Sequence, residues 1–118
     1  GRVRDFNDGR TVTTLSIEHY PGMTEKLLDQ LLADAMKRWQ LLSARVIHRY
    51  GDLLLGDQIV FVGVSSAHRE HAFEAAEFLM DYLKTRAPFW KREKGSDGQS
   101  VWVEAKDKDE IAVERWQK

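Results

Sequence analysis

Between Ser66 and Pro88 the apolar residues recur at helical spacing, and no other stretch of the chain restricts the fold as strongly. Ala72, Ala75, Ala76, Leu79 and Leu83 line one stripe, and the small alanines let such a helix approach a sheet closely. Ser65 or Ser66 is the predicted N-cap. The helix is expected to reach about Arg86, because Pro88 pushes the residue before it out of the α region.

A second stripe, made of Leu27, Leu28, Leu31, Leu32, Ala35, Met36 and Trp39, predicts a helix from an N-cap at Thr24 to about Trp39. Strand signals surround these helices. Residues 11–20 are rich in β-branched side chains, and Leu15 and Ile17 alternate against Ser16 and Glu18 until Pro21-Gly22 breaks the run. Residues 43–50 alternate around Val46 and His48. Residues 58–65 (QIVFVGVS) are almost continuously apolar, which suits a central strand buried on both faces, with the turn before it at Gly56-Asp57. Residues 89–93 and 100–104 read as a hairpin around Gly95-Ser96-Asp97-Gly98. The first ten residues read as a loop, and residues 107–116 as a short charged helix. The resulting order, β-α-β-β-α-β-β, predicts an α+β sandwich with helices covering a mostly antiparallel sheet.

Composition narrows the function. A length of 118 residues and a 42% apolar fraction fit one domain with a modest core. The 18 Lys and Arg residues are balanced by 19 Asp and Glu, so no globally basic nucleic-acid binder is expected and any anion site must be a local cluster. No run approaches the length of a membrane span and no leader-like stretch opens the chain, so no membrane partner is expected. Gly1 rather than Met stands first, and further elements upstream are expected. The absence of cysteine excludes a disulfide, a thiolate metal site and a cysteine nucleophile, and it fits a cytoplasmic setting. Such a protein cannot carry sulfur as its own persulfide.

Three segments hold candidate chemistry. Residues 84–93 (KTRAPFWKRE) place Lys84, Arg86, Lys91 and Arg92 across a helix end and a proline corner, with Phe89 and Trp90 between them. The helix dipole alone accounts for cations at such an end. Crowding adds a chemical reading, since a lysine among other cations loses some preference for its charged form and can act as acid or base. Residues 65–69 (SSAHR) follow the most apolar strand, where free backbone N–H groups, His68 and Arg69 suit an anion; an ordinary first helical turn is the plainer alternative. Arg2-Val3-Arg4 is a basic stretch in the opening loop. His19 and His48 are too far apart in sequence to suggest a metal pair, and His68 with His71 lacks a carboxylate partner at ligand spacing. No HExxH, GxxxxGK or GxGxxG pattern occurs. The residues alone describe an anion-binding site with a tuned lysine and no metal. They leave open a non-catalytic anion-binding adaptor for an acidic partner, or a lysine Schiff-base enzyme.

Four strings go further: LSIEHYPGMTEK (residues 15–26), GDQIVFVGVSSAHR (56–69), FLMDYLKTRAPFWKRE (78–93) and VWVEAKD (101–107). In unbroken order over nearly the whole chain, they resemble the molybdopterin synthase catalytic (large) subunit family. That resemblance implies an α/β hammerhead-type fold in which two main helices cover the sheet beside a β-hairpin subdomain, with residues 1–118 as a single domain lacking the family's N-terminal strand region. It implies a sulfurtransferase in molybdenum cofactor biosynthesis with no resident cofactor or metal. A homodimer of this subunit would bind two small ubiquitin-like sulfur carriers in a heterotetramer. Each carrier's C-terminal Gly-Gly thiocarboxylate would deliver sulfur, in two rounds, to cyclic pyranopterin monophosphate. The family's essential lysines match Lys84 and Lys91, its His-Arg substrate pair matches His68 and Arg69, and its other substrate contacts match Arg2, Val3, Arg4, Arg92 and Glu93.

Overall fold

The structure, a computed structural model, describes residues 1–7, 9–104 and 106–117. The chain forms two compact units. One comprises Gly1–Tyr20, Ile47–Phe61 and Pro88–Glu104, and the other Pro21–Val46, Val62–Ala87 and Ala105–Lys118.

The first unit is built on strands. Strand β2 (Arg10–His19) is its spine, since the β-branched run favours extended backbone and alternation turns Leu15 and Ile17 inward, while Val12 is buried beyond a break in the alternation. It pairs antiparallel with β1 (Phe6–Asn7), β4 (Gly51–Leu54) and β6 (Phe89–Gly95), and β6 pairs antiparallel with β7 (Ser100–Val103). The pairing between β2 and β6 shifts register between Val12 and Thr14. Val3, Leu15, Ile17 and Leu53 form the buried core, with Ile59 and Phe89 packed against it.

The second unit is helical: α1 (Met23–Arg38), α2 (Arg69–Thr85) and α3 (Asp107–Glu114), the last running into a single 3-10 turn. Both predicted stripes pack, except at Met36, which is 45% exposed. Leu31 and Ala35 of α1 meet Phe78 and Leu79 of α2, with Val46, Val62, Val64, Trp39 and Trp116 around them. The mixed α+β class and the antiparallel sheet match the expectation. No helix among the described residues is long and apolar enough to cross a membrane.

Several details depart from the sequence reading. The opening segment is not all loop, because β1 pairs with the start of β2. The segment between β3 (Ser43–His48) and β5 (Val60–Ser65) holds strand β4, which GDLL marks too briefly for alternation to reveal. The first helix is capped by Gly22, whose φ of 85° suits a residue without Cβ; Thr24 lies inside the first turn and is buried. The cap of α2 is His68 rather than Ser65 or Ser66. QIVFVGVS is not a central strand. β5 lies in a two-stranded sheet with β3, Val62 and Val64 turn into the helical core, and Phe61 is 55% exposed. A continuous apolar run does not by itself say whether one face or two are covered.

Candidate active site

Strand β6 divides the basic segment. Successive side chains on a strand point to opposite faces, so Phe89, Lys91 and Glu93 share one half-buried face while Trp90, Arg92 and Lys94 alternate with them. Lys91 stands opposite Ile17 on β2 and Val103 on β7. Glu93 accepts a hydrogen bond from Asn7 Nδ2 at 2.9 Å. Arg92 is exposed, its guanidinium 5.6 Å from the centre of the Trp102 ring. The structure therefore brings Lys91 and Glu93 to one face and sets Arg92 on the other.

Residues 2–4 are tied down rather than loose. Val3 is buried in the core, and its backbone N–H donates to the Asp57 carbonyl while its own carbonyl accepts from Gly56. Arg2 donates to the Gly56 carbonyl at 2.9 Å, and Arg4 is exposed. Of this stretch, Val3 packs, Arg2 braces the turn and Arg4 projects into solvent.

His68 and Arg69 begin α2. The Ser66 hydroxyl accepts the His68 N–H at 3.0 Å, and His68 Nε2 lies 3.0 Å from Gln40 Oε1. The Gln40 N–H donates to His71 Nδ1 at 3.1 Å, and the two histidine rings lie 4.9 Å apart. An open recess of about 680 Å³ adjoins them, lined by Trp39, Gln40, Leu42, His68 and His71 among others. Among the described residues no group of three or more His, Cys, Asp or Glu side chains is placed to hold a metal ion.

Lys84 sits exposed in the last turn of α2. Its neighbour Arg86 is paired with Glu110 at 2.8 Å. Sixteen residues separate His68 from Lys84 on this one helix, so at 1.5 Å per residue the two ends lie about 24 Å apart. Within one chain, α2 does not bring the His-Arg pair beside Lys84.

One residue that the sequence reading set aside packs on β6, two positions along from the candidate lysine. The His48 ring stacks on Phe89, with centroids 3.7 Å apart and planes at 13°, and its Nδ1 lies 2.7 Å from the Arg49 carbonyl. Burial lowers its pKa from 6.5 to about 4, against the opposing pull of that carbonyl, and the positive charges of Lys91, His19 and the Gly1 amino group depress it further. Its alternate position on a strand was visible in the sequence. A contact across 41 residues of chain was not.

A family model described as the MoaE protein matches residues 1–86. The chain belongs to the MoaE family. Its lysine on β6 lies beyond that match, but relatives align over nearly the full length. The chain is 62% identical over 116 residues to the molybdopterin synthase catalytic subunit of Yersinia pestis, covering 98% of this chain and 76% of that protein. The corresponding subunit of Escherichia coli is 58% identical over 116 residues, with 98% and 77% covered. Among solved structures, the molybdopterin biosynthesis MoaE protein from Burkholderia ambifaria superposes with a TM-score of 0.80 at 47% identity, covering 100% of this chain and 76% of that one. The fold of this chain is thus shared with that MoaE structure.

Proposed function

We infer that this chain works as the catalytic subunit of a molybdopterin synthase. It takes sulfur from the C-terminal Gly-Gly thiocarboxylate of a small ubiquitin-like carrier and adds it to cyclic pyranopterin monophosphate, forming the molybdopterin dithiolene in two rounds. The observation that carries this reading is the 62% identity to a catalytic subunit across 98% of the chain. The lack of cysteine accords with it, because sulfur that arrives on a partner's C-terminus requires no thiol on the enzyme. We place the protein in the cytoplasm and treat residues 1–118 as one functional domain.

The residue roles are those the resemblance implies, each given a chemical part. Lys84 is the central acid and base at the thiocarboxylate carbonyl, where an ammonium also stabilises developing negative charge. Lys91 protonates a leaving oxygen or steadies the substrate anion. Arg4, His68 and Arg69 hold the phosphate and pterin by charge-assisted hydrogen bonds, with Arg2, Arg92 and Glu93 as further substrate contacts; Val3, expected among them, is buried in the core and anchors the segment that carries Arg2 and Arg4. The length of α2 bears on the assembly. A single pterin is far shorter than the separation of roughly 24 Å between the ends of the helix. The His68–Arg69 pair that serves a given Lys84 therefore comes from a second copy, which makes the homodimer part of the chemistry. Two carriers on that dimer complete a heterotetramer.

The test is reconstitution. The chain is mixed with thiocarboxylated carrier and cyclic pterin precursor, and dithiolene formation is followed. Product in proportion to enzyme is the expected outcome. Tight pterin binding without sulfur transfer would instead make the chain a binding module.

A further inference from the structure

We propose that Gln40 is a positioning residue for His68. Its side-chain carbonyl holds the imidazole with Nε2 as donor, so that Nδ1 is the nitrogen offered to the substrate's phosphate; this rests on the reading of His68 as a substrate contact. The connection that follows α1 is bonded to the start of α2 through its main chain. The Gln40 N–H donates to His71 Nδ1 at 3.1 Å, and the Gln40 carbonyl accepts the Ser66 hydroxyl at 2.5 Å. The same hydroxyl accepts the His68 N–H at 3.0 Å. On one side of Gln40, Trp39 donates through Nε1 to Glu74 at 3.0 Å. On the other, the Leu42 N–H donates to the Ser65 carbonyl at 2.8 Å, and the Ser43 and Ser65 hydroxyls lie 2.6 Å apart. The backbone of residue 40 is therefore fixed against the first turn of α2.

From that base the side chain reaches the imidazole. Gln40 Oε1 lies 3.0 Å from His68 Nε2. An amide oxygen only accepts, so Nε2 carries the proton of this bond. His68 Nδ1 has no hydrogen-bond partner among the described residues, and both His68 and Gln40 line the open recess. The neighbouring His71 ring, 4.9 Å away, has its own Nδ1 taken by the Gln40 N–H. An exposed side chain at a helix start samples several rotamers. A hydrogen bond to one ring nitrogen selects among them and decides which nitrogen is left for a ligand. When the ring is protonated both nitrogens donate, one to Gln40 and the other to a phosphate oxygen.

The experiment compares the unmutated protein with Gln40→Met and Gln40→Glu. Both changes leave the main-chain bonds of residue 40 in place; Met keeps the length of the side chain without its carbonyl, and Glu restores an acceptor oxygen. Nitrogen NMR of the His68 ring, recorded at alkaline pH where imidazole is neutral, should show the Nε2–H tautomer in the unmutated protein and in Gln40→Glu. In Gln40→Met a share of the Nδ1–H tautomer should appear. In assays with thiocarboxylated carrier, Gln40→Met should raise the KM for cyclic pyranopterin monophosphate about fivefold, the worth of one hydrogen bond, with kcat little changed. An Nδ1–H tautomer in the unmutated protein overturns the proposal, and that measurement needs no variant to fold. So does a His68 ring in Gln40→Met indistinguishable from that of the unmutated protein. His68→Ala separates the proposal from the reading beneath it. If His68→Ala keeps the normal KM while Gln40→Met still frees the ring, the substrate reading of His68 fails and the positioning stands. If His68→Ala raises KM but Gln40→Met does not, the hold on the ring has no bearing on substrate; the proposal falls and the substrate reading stands.

Discussion

The two ends of α2 both carry positive side chains, for opposite electrostatic reasons. A helix has a partial positive charge at its start and a partial negative charge at its end. Lys84, in the last turn, and Arg86, at the C-cap, complement the negative end, and Arg86 has Glu110 as well. These cations are satisfied in the unliganded chain. Arg69 stands at the positive end with only Glu70 as an acidic residue in the first turn. A cation in that position works against the folded helix until an anion arrives, and the free N–H groups of the first turn favour the same anion. The contrast separates an end whose cation the helix dipole disfavours, as the proposed substrate role of His68 and Arg69 requires, from an end whose charge serves the fold.

Variants can test this contrast, beginning with the largest effect. Lys84→Ala should reduce single-turnover formation of dithiolene from preformed thiocarboxylated carrier by about a hundredfold or more, the range of lost acid-base catalysis. Near-normal turnover would remove Lys84 from the chemistry. Next, Lys84→Ala and the double variant His68→Ala, Arg69→Ala should each be inactive alone. Refolded together in equal amounts, they should recover about a quarter of wild-type activity, because half of the symmetric dimers are mixed and each mixed dimer has one complete set. No recovery would mean that the two ends of α2 do not serve one substrate from different copies. The smallest effect is the most direct measure of the contrast. Arg69→Ala should raise the stability of the unliganded protein to urea by about 0.3–1 kcal/mol, and Arg86→Ala should lower it by about the same amount. Shifts of the same sign would abolish the distinction.

Local patterns made much of this legible. The stripes Leu28, Leu31, Leu32, Ala35 and Ala75, Leu79, Leu83 pack because one helical face is all that a 3.6-residue period can bury, whereas Phe78, which the second stripe left out, is fully buried. The buried alternation of Leu15 and Ile17 on β2 was equally plain. Chain order did not carry pairings between distant segments. Strand β4 is four residues long and gains its identity from β2, and among the described residues β5 pairs only with β3, although Gln58 just before it bridges Arg2. At the candidate site, the matched strings named Lys84, Lys91, His68 and Arg69, but alternation on β6 separates Arg92 from Lys91. Val3 lies in the core because its segment bonds to residues 56 and 57, fifty-odd positions away. His48 was passed over as an isolated strand histidine, since its significance lies in a stacked neighbour on another strand.

The chain's closing residues, which looked like a charged appendage, have a practical consequence. Trp116 donates through Nε1 to Asp81 at 2.7 Å and stands edge-on to Phe78 and Trp39, the two indole rings 5.5 Å apart at 82°. Chromophores this close and fixed imprint a signature on near-ultraviolet circular dichroism, which reports ordered tertiary packing. Subtracting the spectrum of Trp116→Phe isolates that signature and gives a label-free optical reporter of whether the last turn is docked.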